Sequence, residues 1–167
     1  LDDTIANNIA LGLNEDNMDF DFLNKVLKIV GLEKIISKFE KKHNTVVGNR
    51  GARLSGGQVQ RIGIARALYS KPKIIILDEA LNSLDQRSES EILDNIQKID
   101  SIKSIILISH NLELFSRCDN LKLIEDGKLA FDGDYNSIKN SQYYKKLLLI
   151  QMLIKFEIIK LKKYNVH

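Results

Sequence analysis

The sequence has very little cysteine and no long apolar run. Its 167 residues include one cysteine, Cys118, which cannot form a disulfide within the chain and has no neighbours at metal-ligand spacing. No stretch approaches the ~20 consecutive apolar residues that cross a bilayer, and the N-terminal LDDTIANN lacks the basic and apolar regions of a signal peptide. We therefore expect no transmembrane segment in this chain, and a structural thiol in a reducing compartment.

The sequence also lacks a large excess of charge of either sign. The formal net charge is only +3, and basic and acidic residues alternate until the last two dozen residues, so no nucleic-acid partner is indicated. A composition of 44% hydrophobic and 28% charged residues is typical of a soluble globular chain. The chain begins at Leu1 without a methionine, and we expect it to be part of something longer.

The third absence is a phosphate loop of the form GxxxxGK[ST]. No Gly-Lys-Ser or Gly-Lys-Thr occurs in the chain, and Gly127-Lys128 is followed by Leu129. A phosphate site in these residues would therefore lack the usual lysine and the hydroxyl that holds magnesium.

The first half of the chain has the apolar period of helices. Leu23, Val26, Leu27 and Val30 recur at helical spacing before Gly31, a typical stop. A shorter helix is predicted before it, over TIANNIAL, with Asp3 as its cap.

After residue 70 the pattern changes to that of a sheet. KIIIL (73–77) and SIILIS (104–109) are short apolar runs that predict strands buried on both faces of a mostly parallel sheet. RSESEILDNIQKI between them predicts a crossover helix, and Asp126-Gly127 predicts a hairpin. The tail, 135–167, is expected to be helical, with a packing helix, a partner-binding helix and a membrane-surface helix left open.

The stretch LSGGQVQRIGIARAL predicts where its helix begins. Ser55 as N-cap with Gln58 three residues later forms a capping box, and Leu54 and Val59 can pack as a hydrophobic staple. Capping does not explain Gly56 and Gly57, because glycine disfavours a helix. Bare backbone at a helix N-terminus suits a bound anion, although a tight turn without a ligand is the alternative.

Two acids and a histidine follow the predicted strands. Asp78-Glu79 ends the first strand and His110 follows the second, so all three are expected at the carboxyl edge of the sheet, where ligands bind in open α/β folds. Asp78 can hold Mg²⁺ through water, and Glu79 can orient or deprotonate an attacking water. Adjacent residues of one strand point to opposite sides, which suits these two roles. A solvated strand end is the alternative.

In this order, LSGGQVQRIGIARAL, IIILDEA, NSLD and ISH resemble the signature motif, Walker B motif, D-loop and switch histidine of the ATP-binding cassette (ABC) nucleotide-binding domain. LDDTIANNIALG and VVGNRGARLSGGQ resemble segments of the exporter-type cassettes, so the likeness covers at least 1–134. The implied fold is α/β: part of a RecA-like P-loop NTPase core, with parallel strands and flanking helices, plus the ABC α-helical subdomain. Implied segments are a helical subdomain with the signature (1–70), the Walker B half of the core (71–134) and a C-terminal helical tail (135–167).

The resemblance implies a role for each matching residue. The signature loop would contact the ATP held by the opposite cassette, Asp78 would serve Mg²⁺, Glu79 would be the catalytic base, His110 would be the switch residue, and the D-loop from Asn82 to Asp85 would run along the dimer interface. The residues expected to contact nucleotide are Ser55, Gly56, Gly57, Gln58 and Asp85. Departures from the family pattern are Val59 for a basic residue, Ser83 for alanine, and a short span from Asp85 to His110.

The resemblance also implies partners and a location. We expect a second nucleotide-binding domain, identical or different, and an ABC transmembrane domain fused upstream, at the cytoplasmic face of the cell membrane. The intact protein would hydrolyse ATP to drive export or flipping, whereas this chain alone would be inactive without Walker A. A soluble ABC ATPase acting on DNA or ribosomes and a non-catalytic regulatory cassette are the alternatives.

Overall fold

The computed structural model describes residues 2–48, 54–109, 111–151 and 158–163, which fall into two compact units. The first unit comprises Leu1–Pro72 and Ala80–Ile102, and the second comprises Lys73–Glu79 and Lys103–His167. These units group 80–102 with the N-terminal residues, so they do not coincide with the three segments expected above, and that functional division stays a prediction.

Helices build the first unit: α1 Ile5–Ile9, α2 Phe20–Ile29, α3 Glu33–Ile36, α4 Gly56–Tyr69 and α5 Gln86–Gln97. In α2 the apolar period predicted the buried face correctly, since Leu23, Val26 and Leu27 are buried. The helix ends before Gly31, whose φ of 69° is left-handed and favours glycine.

The cap of α1 is Thr4, one residue after the predicted Asp3. Thr4 Oγ1 accepts a hydrogen bond from the backbone N–H of Asn7 at 3.1 Å. The Asp3 carboxylate instead accepts from the N–H of Thr4 and from the side-chain amide of Asn7, each at 2.7 Å. The prediction for Asp3 was wrong because Thr4 also carries a capping oxygen and is one residue closer to the helix.

A five-stranded sheet forms the second unit, in the order β1-β2-β5-β3-β4. Its strands are β1 Ile74–Asp78, β2 Ser104–Ile108, β3 Asn120–Glu125, β4 Lys128–Gly133 and β5 Ile158–Lys163. β1 and β2 are parallel and α5 lies between them in the sequence, which confirms the predicted strand-helix-strand order.

The predicted hairpin is also present. β3 and β4 pair antiparallel across Asp126 and Gly127, whose φ angles of 49° and 72° are both left-handed, as a tight type I′ turn requires. Beside the sheet, Cys118 is buried in an apolar cluster, which agrees with the structural role expected for it. The cluster comprises Leu112, Phe115, Cys118, Leu121, Leu123, Ile138 and Leu147.

The expectation of a helical tail was wrong for its last described part. Residues 135–139 and 142–151 form the helices α6 (Tyr135–Lys139) and α7 (Gln142–Gln151), but Ile158–Lys163 is the strand β5. β5 pairs antiparallel with β2 on one side and β3 on the other, so ladder hydrogen bonds on both edges replace those of a helix. The spacing of apolar residues in the sequence does not reveal this strand pairing.

The burial of β1 also differs from the expectation of two covered faces. Ile75 and Leu77 are each 2% exposed, whereas Ile74 and Ile76 are 58% and 60% exposed. An apolar run shows that the side chains on both faces of the strand are apolar. It does not show that other described residues pack over both faces. In this structure β1 is an edge strand with one open face.

Candidate functional site

The N-terminus of α4 carries the glycine pair of the signature stretch. Ser55 is the N-cap, with the backbone N–H of Gln58 donating to Ser55 Oγ at 3.3 Å and the backbone N–H of Ser55 donating to Gln58 Oε1 at 3.0 Å. This confirms the predicted capping box and helix start. Gly56 and Gly57 therefore lie in the first turn, where N–H groups have no intrahelical partner and the helix dipole is positive.

The two glycines have different surroundings. Among the described residues, a Cβ added at Gly56 would meet no atom within 4 Å, so they leave its backbone open to a ligand. A Cβ at Gly57 would lie 3.1 Å from the carbonyl oxygen of Ser83 and 3.2 Å from Leu84 Cδ2. Gly57 is thus explained by the close approach of the D-loop, whereas no contact among the described residues accounts for glycine at Gly56.

Polar side chains join the same loop to α4 and α5. Gln60 Oε1 accepts from the backbone N–H of Ser83 at 2.9 Å. Asp85 is the N-cap of α5, where its carboxylate accepts from the backbone N–H of Ser88 at 3.0 Å and from Ser88 Oγ at 2.6 Å. These hydrogen bonds lower the pKa of Asp85, and the bond from the Ser88 hydroxyl has a larger effect than the bond from the Ser88 N–H.

A pocket with a volume of about 460 Å³ opens between the signature turn and the D-loop. It brings together five of the expected site residues, Ser55, Gly56, Gly57, Gln58 and Asp85, and its other lining residues are Ile35, Arg61, Ser83 and Leu84. The volume suits a small ligand. Backbone N–H groups at the start of α4 favour a negative group at this surface, with the Asp85 carboxylate at its other side.

Sequence reasoning missed Gln60 and Arg61 as contributors to this surface. The signal was available: they lie three and four residues after Gly57, a spacing that places them on the same face of α4. Their partners could not be read from the sequence, because they lie far away along the chain. Gln60 bonds to Ser83 in the D-loop, and Arg61 bonds to residues at the end of α2 and in α5.

Asp78 and Glu79 belong to the second unit. Asp78 is the last residue of β1 and is exposed, and the backbone N–H of Glu79 donates to the carbonyl oxygen of Ile108 at 3.0 Å. Glu79 has a φ of 45°, which costs a non-glycine residue about 1 kcal/mol or more. We expected the two acids to alternate along one strand. That expectation was wrong, because the strand ends between them.

The expected switch residue, His110, lies outside the described residues, so its placement stays a prediction. Before it, Ser109 is 5% exposed, and its Oγ accepts from the backbone N–H of Asn111 at 3.0 Å. Across the described ranges, no helix has the length and apolar character needed to span a membrane.

Residues 3–82 match the family model described as ABC transporter. An export ATP-binding/permease protein of Rickettsia typhi is 42% identical over 153 residues, which cover 91% of this chain and 26% of that protein. A leukotoxin translocation ATP-binding protein of a Pasteurella haemolytica-like species is 40% identical over 154 residues, 91% of this chain and 22% of that protein. The chain thus spans about a quarter of the length of these relatives.

A solved structure gives the same result for the fold. The chain matches a bacterial Atm1-family ABC exporter with ATP bound, with a TM-score of 0.81 and 30% identity over 91% of this chain and 27% of that one. The mixed α/β fold and the capped glycine turn are those of a nucleotide-binding domain. The chain belongs to the ABC transporter family, as part of an exporter-type nucleotide-binding domain.

Proposed function

We propose that this chain supplies the signature face and the Walker B acids of an ATP-driven exporter. The observation that carries the proposal is the open backbone of Gly56 at the capped N-terminus of α4, beside the pocket that Asp85 also lines. In the proposal Ser55, Gly56, Gly57 and Gln58 contact the γ-phosphate of an ATP held by a second cassette. A helix N-terminus stabilises that negative charge without any local lysine.

The described residues fit magnesium in one particular way. Among them, no group of three or more His, Cys, Asp or Glu side chains could hold a metal ion. Mg²⁺ usually keeps several waters and is bound by one or two carboxylates plus substrate phosphates, so the exposed Asp78 suits a site completed by ATP. Bound magnesium supplies neutralisation of the charge on the phosphate oxygens.

Glu79 is the proposed general base. Its backbone is fixed by the hydrogen bond to Ile108 and by a left-handed φ, so its carboxylate leaves the strand end in a different direction from a regular strand residue. In this role it orients the attacking water and accepts its proton, while His110 contacts the transferred phosphoryl group.

The proposal includes two partners. A second nucleotide-binding domain, identical or different, faces the signature pocket, and a transmembrane domain in the same polypeptide places the cassette at the cytoplasmic face of the membrane. Support comes from the names of the relatives, an export ATP-binding/permease protein and a leukotoxin translocation ATP-binding protein, and from the quarter of their length that this chain spans. These names favour an exporter over a soluble ABC ATPase acting on DNA or ribosomes.

The test compares Glu79→Gln with Glu40→Gln, an exposed acid outside the proposed site, in the longer export protein. Loss of the base should lower kcat for MgATP by about 100-fold or more while ATP binding persists, and the control should be unchanged. Full turnover in Glu79→Gln would exclude Glu79 as the base.

The 167-residue chain alone should bind MgATP weakly or not at all, because it contains no GxxxxGK[ST] loop. Equilibrium dialysis with labelled MgATP measures this. Turnover by the isolated chain that disappears in Glu79→Gln would contradict the requirement for residues outside it.

A further inference from the structure

The D-loop lies in a segment, Ala80 to Asp85, that forms neither helix nor strand, yet α4 contacts it at more than one point. An irregular segment needs partners for its backbone N–H groups. The N–H of Ser83 finds one in Gln60 Oε1 at 2.9 Å. One turn earlier on the helix, the missing Cβ of Gly57 leaves room for the carbonyl of the same serine, so Ser83 is held on both sides of its peptide backbone.

Arg61 connects the end of this loop to a different helix. Its Nη1 donates to the carbonyl oxygens of Val30 and Gly31, each at 3.2 Å, and its Nη2 donates to Ser88 Oγ at 2.7 Å. Ser88 in turn donates to the Asp85 carboxylate. The guanidinium therefore joins the C-terminal end of α2 to the cap of α5.

The geometry of Arg61 requires a forked donor. Two nitrogens of one planar group reach opposite partners, which a lysine ammonium on a single stem cannot do. The room for this group comes from Gly31, where an added Cβ would lie 2.6 Å from Arg61 Nη1. Gly31 thus has a second function besides its left-handed backbone.

We propose that Gln60 and Arg61 are positioning residues that fix the D-loop to the signature helix, so that Ser83 and Asp85 meet the second cassette together with Gly56. This role rests on the proposed function, because it takes effect when the signature face closes on nucleotide. Neither side chain is needed to hold the phosphate. Each acts through the backbone or the cap of the loop, with Gln60 bonded to Ser83 and Arg61 bonded to Asp85 through Ser88.

The experiment uses the proposed polypeptide that joins this chain to a transmembrane domain, with three forms of residue 60. Gln60→Met keeps the size and removes the acceptor, whereas Gln60→Glu keeps an oxygen at the same distance along the side chain. Gln142→Met, on an exposed glutamine of α7, is the matched control. The two readouts are amide hydrogen exchange of the peptide that contains Ser83, and kcat and KM for MgATP.

In Gln60→Met the Ser83 amide should exchange about three- to tenfold faster, the range that loss of one hydrogen bond gives. We expect kcat to fall by a similar factor with KM within twofold, and Gln60→Glu to restore both. A merely structural role would lower the thermal midpoint of unfolding without lowering kcat at an unchanged KM. If Gln60→Met does not fold, Arg61→Lys provides the same comparison, with slower turnover at unchanged KM.

The outcomes separate this inference from the function on which it rests. Faster exchange at Ser83 with normal turnover would overturn the positioning role and leave the exporter proposal intact. Unchanged exchange in Gln60→Met would overturn the contact itself. No ATP turnover in the unsubstituted protein would overturn the proposed function, and the positioning role with it, whatever the exchange data show.

Discussion

Replacing each signature glycine with alanine tests whether the D-loop packs on Gly57. Alanine at either position gains helix propensity, up to about 1 kcal/mol and less in the first turn. At Gly56 no described residue opposes the gain, because the new Cβ would lie more than 4 Å from the atoms of that part of the chain. At Gly57 the Cβ would lie 3.1 Å from a backbone carbonyl oxygen and 3.2 Å from Leu84 Cδ2, so the loop would have to shift by a few tenths of an ångström. Because the loop is partly exposed, we expect a cost at the low end of the about 1–3 kcal/mol that overpacking gives in cores.

The two variants should therefore move stability in opposite directions. Gly56→Ala is expected to stabilise the chain by a few tenths of a kcal/mol, and Gly57→Ala to destabilise it by about 1 kcal/mol. For a chain of this length, 1 kcal/mol shifts the unfolding midpoint by about 2–4 °C, so the midpoints should differ by roughly 3–6 °C. Thermal unfolding followed by circular dichroism measures the difference, and a midpoint for Gly57→Ala equal to or above that of Gly56→Ala would refute the packing.

Turnover should not follow the stability of these variants. A Cβ at Gly56 occupies the space through which a phosphate would approach the helix N-terminus, so Gly56→Ala should lower ATPase activity of the longer protein although it is the more stable variant. Activity equal to the unsubstituted protein in Gly56→Ala would mean that no anion approaches this backbone.

Two further predictions concern the cap of α5 and the core of the second unit. Because hydrogen bonds from Ser88 lower the pKa of Asp85, Ser88→Ala should raise that pKa. The stability that this interaction contributes should be fully present above the usual aspartate pKa of 3.8 and be lost as pH falls through the lowered pKa, and NMR titration and unfolding at several pH values test both predictions. Leu121 is 0% exposed and Leu129 54% exposed, so Leu121→Ala should destabilise by about 2–5 kcal/mol and Leu129→Ala by less than about 0.5 kcal/mol, measured by urea unfolding.

Local patterns in the sequence predicted the local parts of the site. The capping box at Ser55 and Gln58 depends on residues three apart, and the hairpin at Asp126 and Gly127 on two adjacent ones, so both could be read correctly. The strand-helix-strand order followed from a change in apolar period, and the family from four motifs in order.

The features that the sequence did not predict depend on distant partners. Residues 158–163 form a strand because two other strands offer free edges, which no helical period reveals. The open face of β1 depends on what covers it, not on its isoleucines. The contact of Gln60 with Ser83 spans 23 positions of an irregular loop, and the roles of Asp78, Glu79 and His110 stay predictions.

The left-handed backbone of Glu79 has a consequence for how this chain tolerates change. A glycine at this position would adopt the same φ without strain, so Glu79→Gly should make the protein more stable while it deletes the carboxylate. Selection for folding alone would therefore favour loss of the acid, and an engineering screen that scores only heat resistance would discard it. On the proposed role of Glu79 as the general base, a library built on this domain has to be scored for ATP turnover at residue 79, because stability and catalysis would select different residues there.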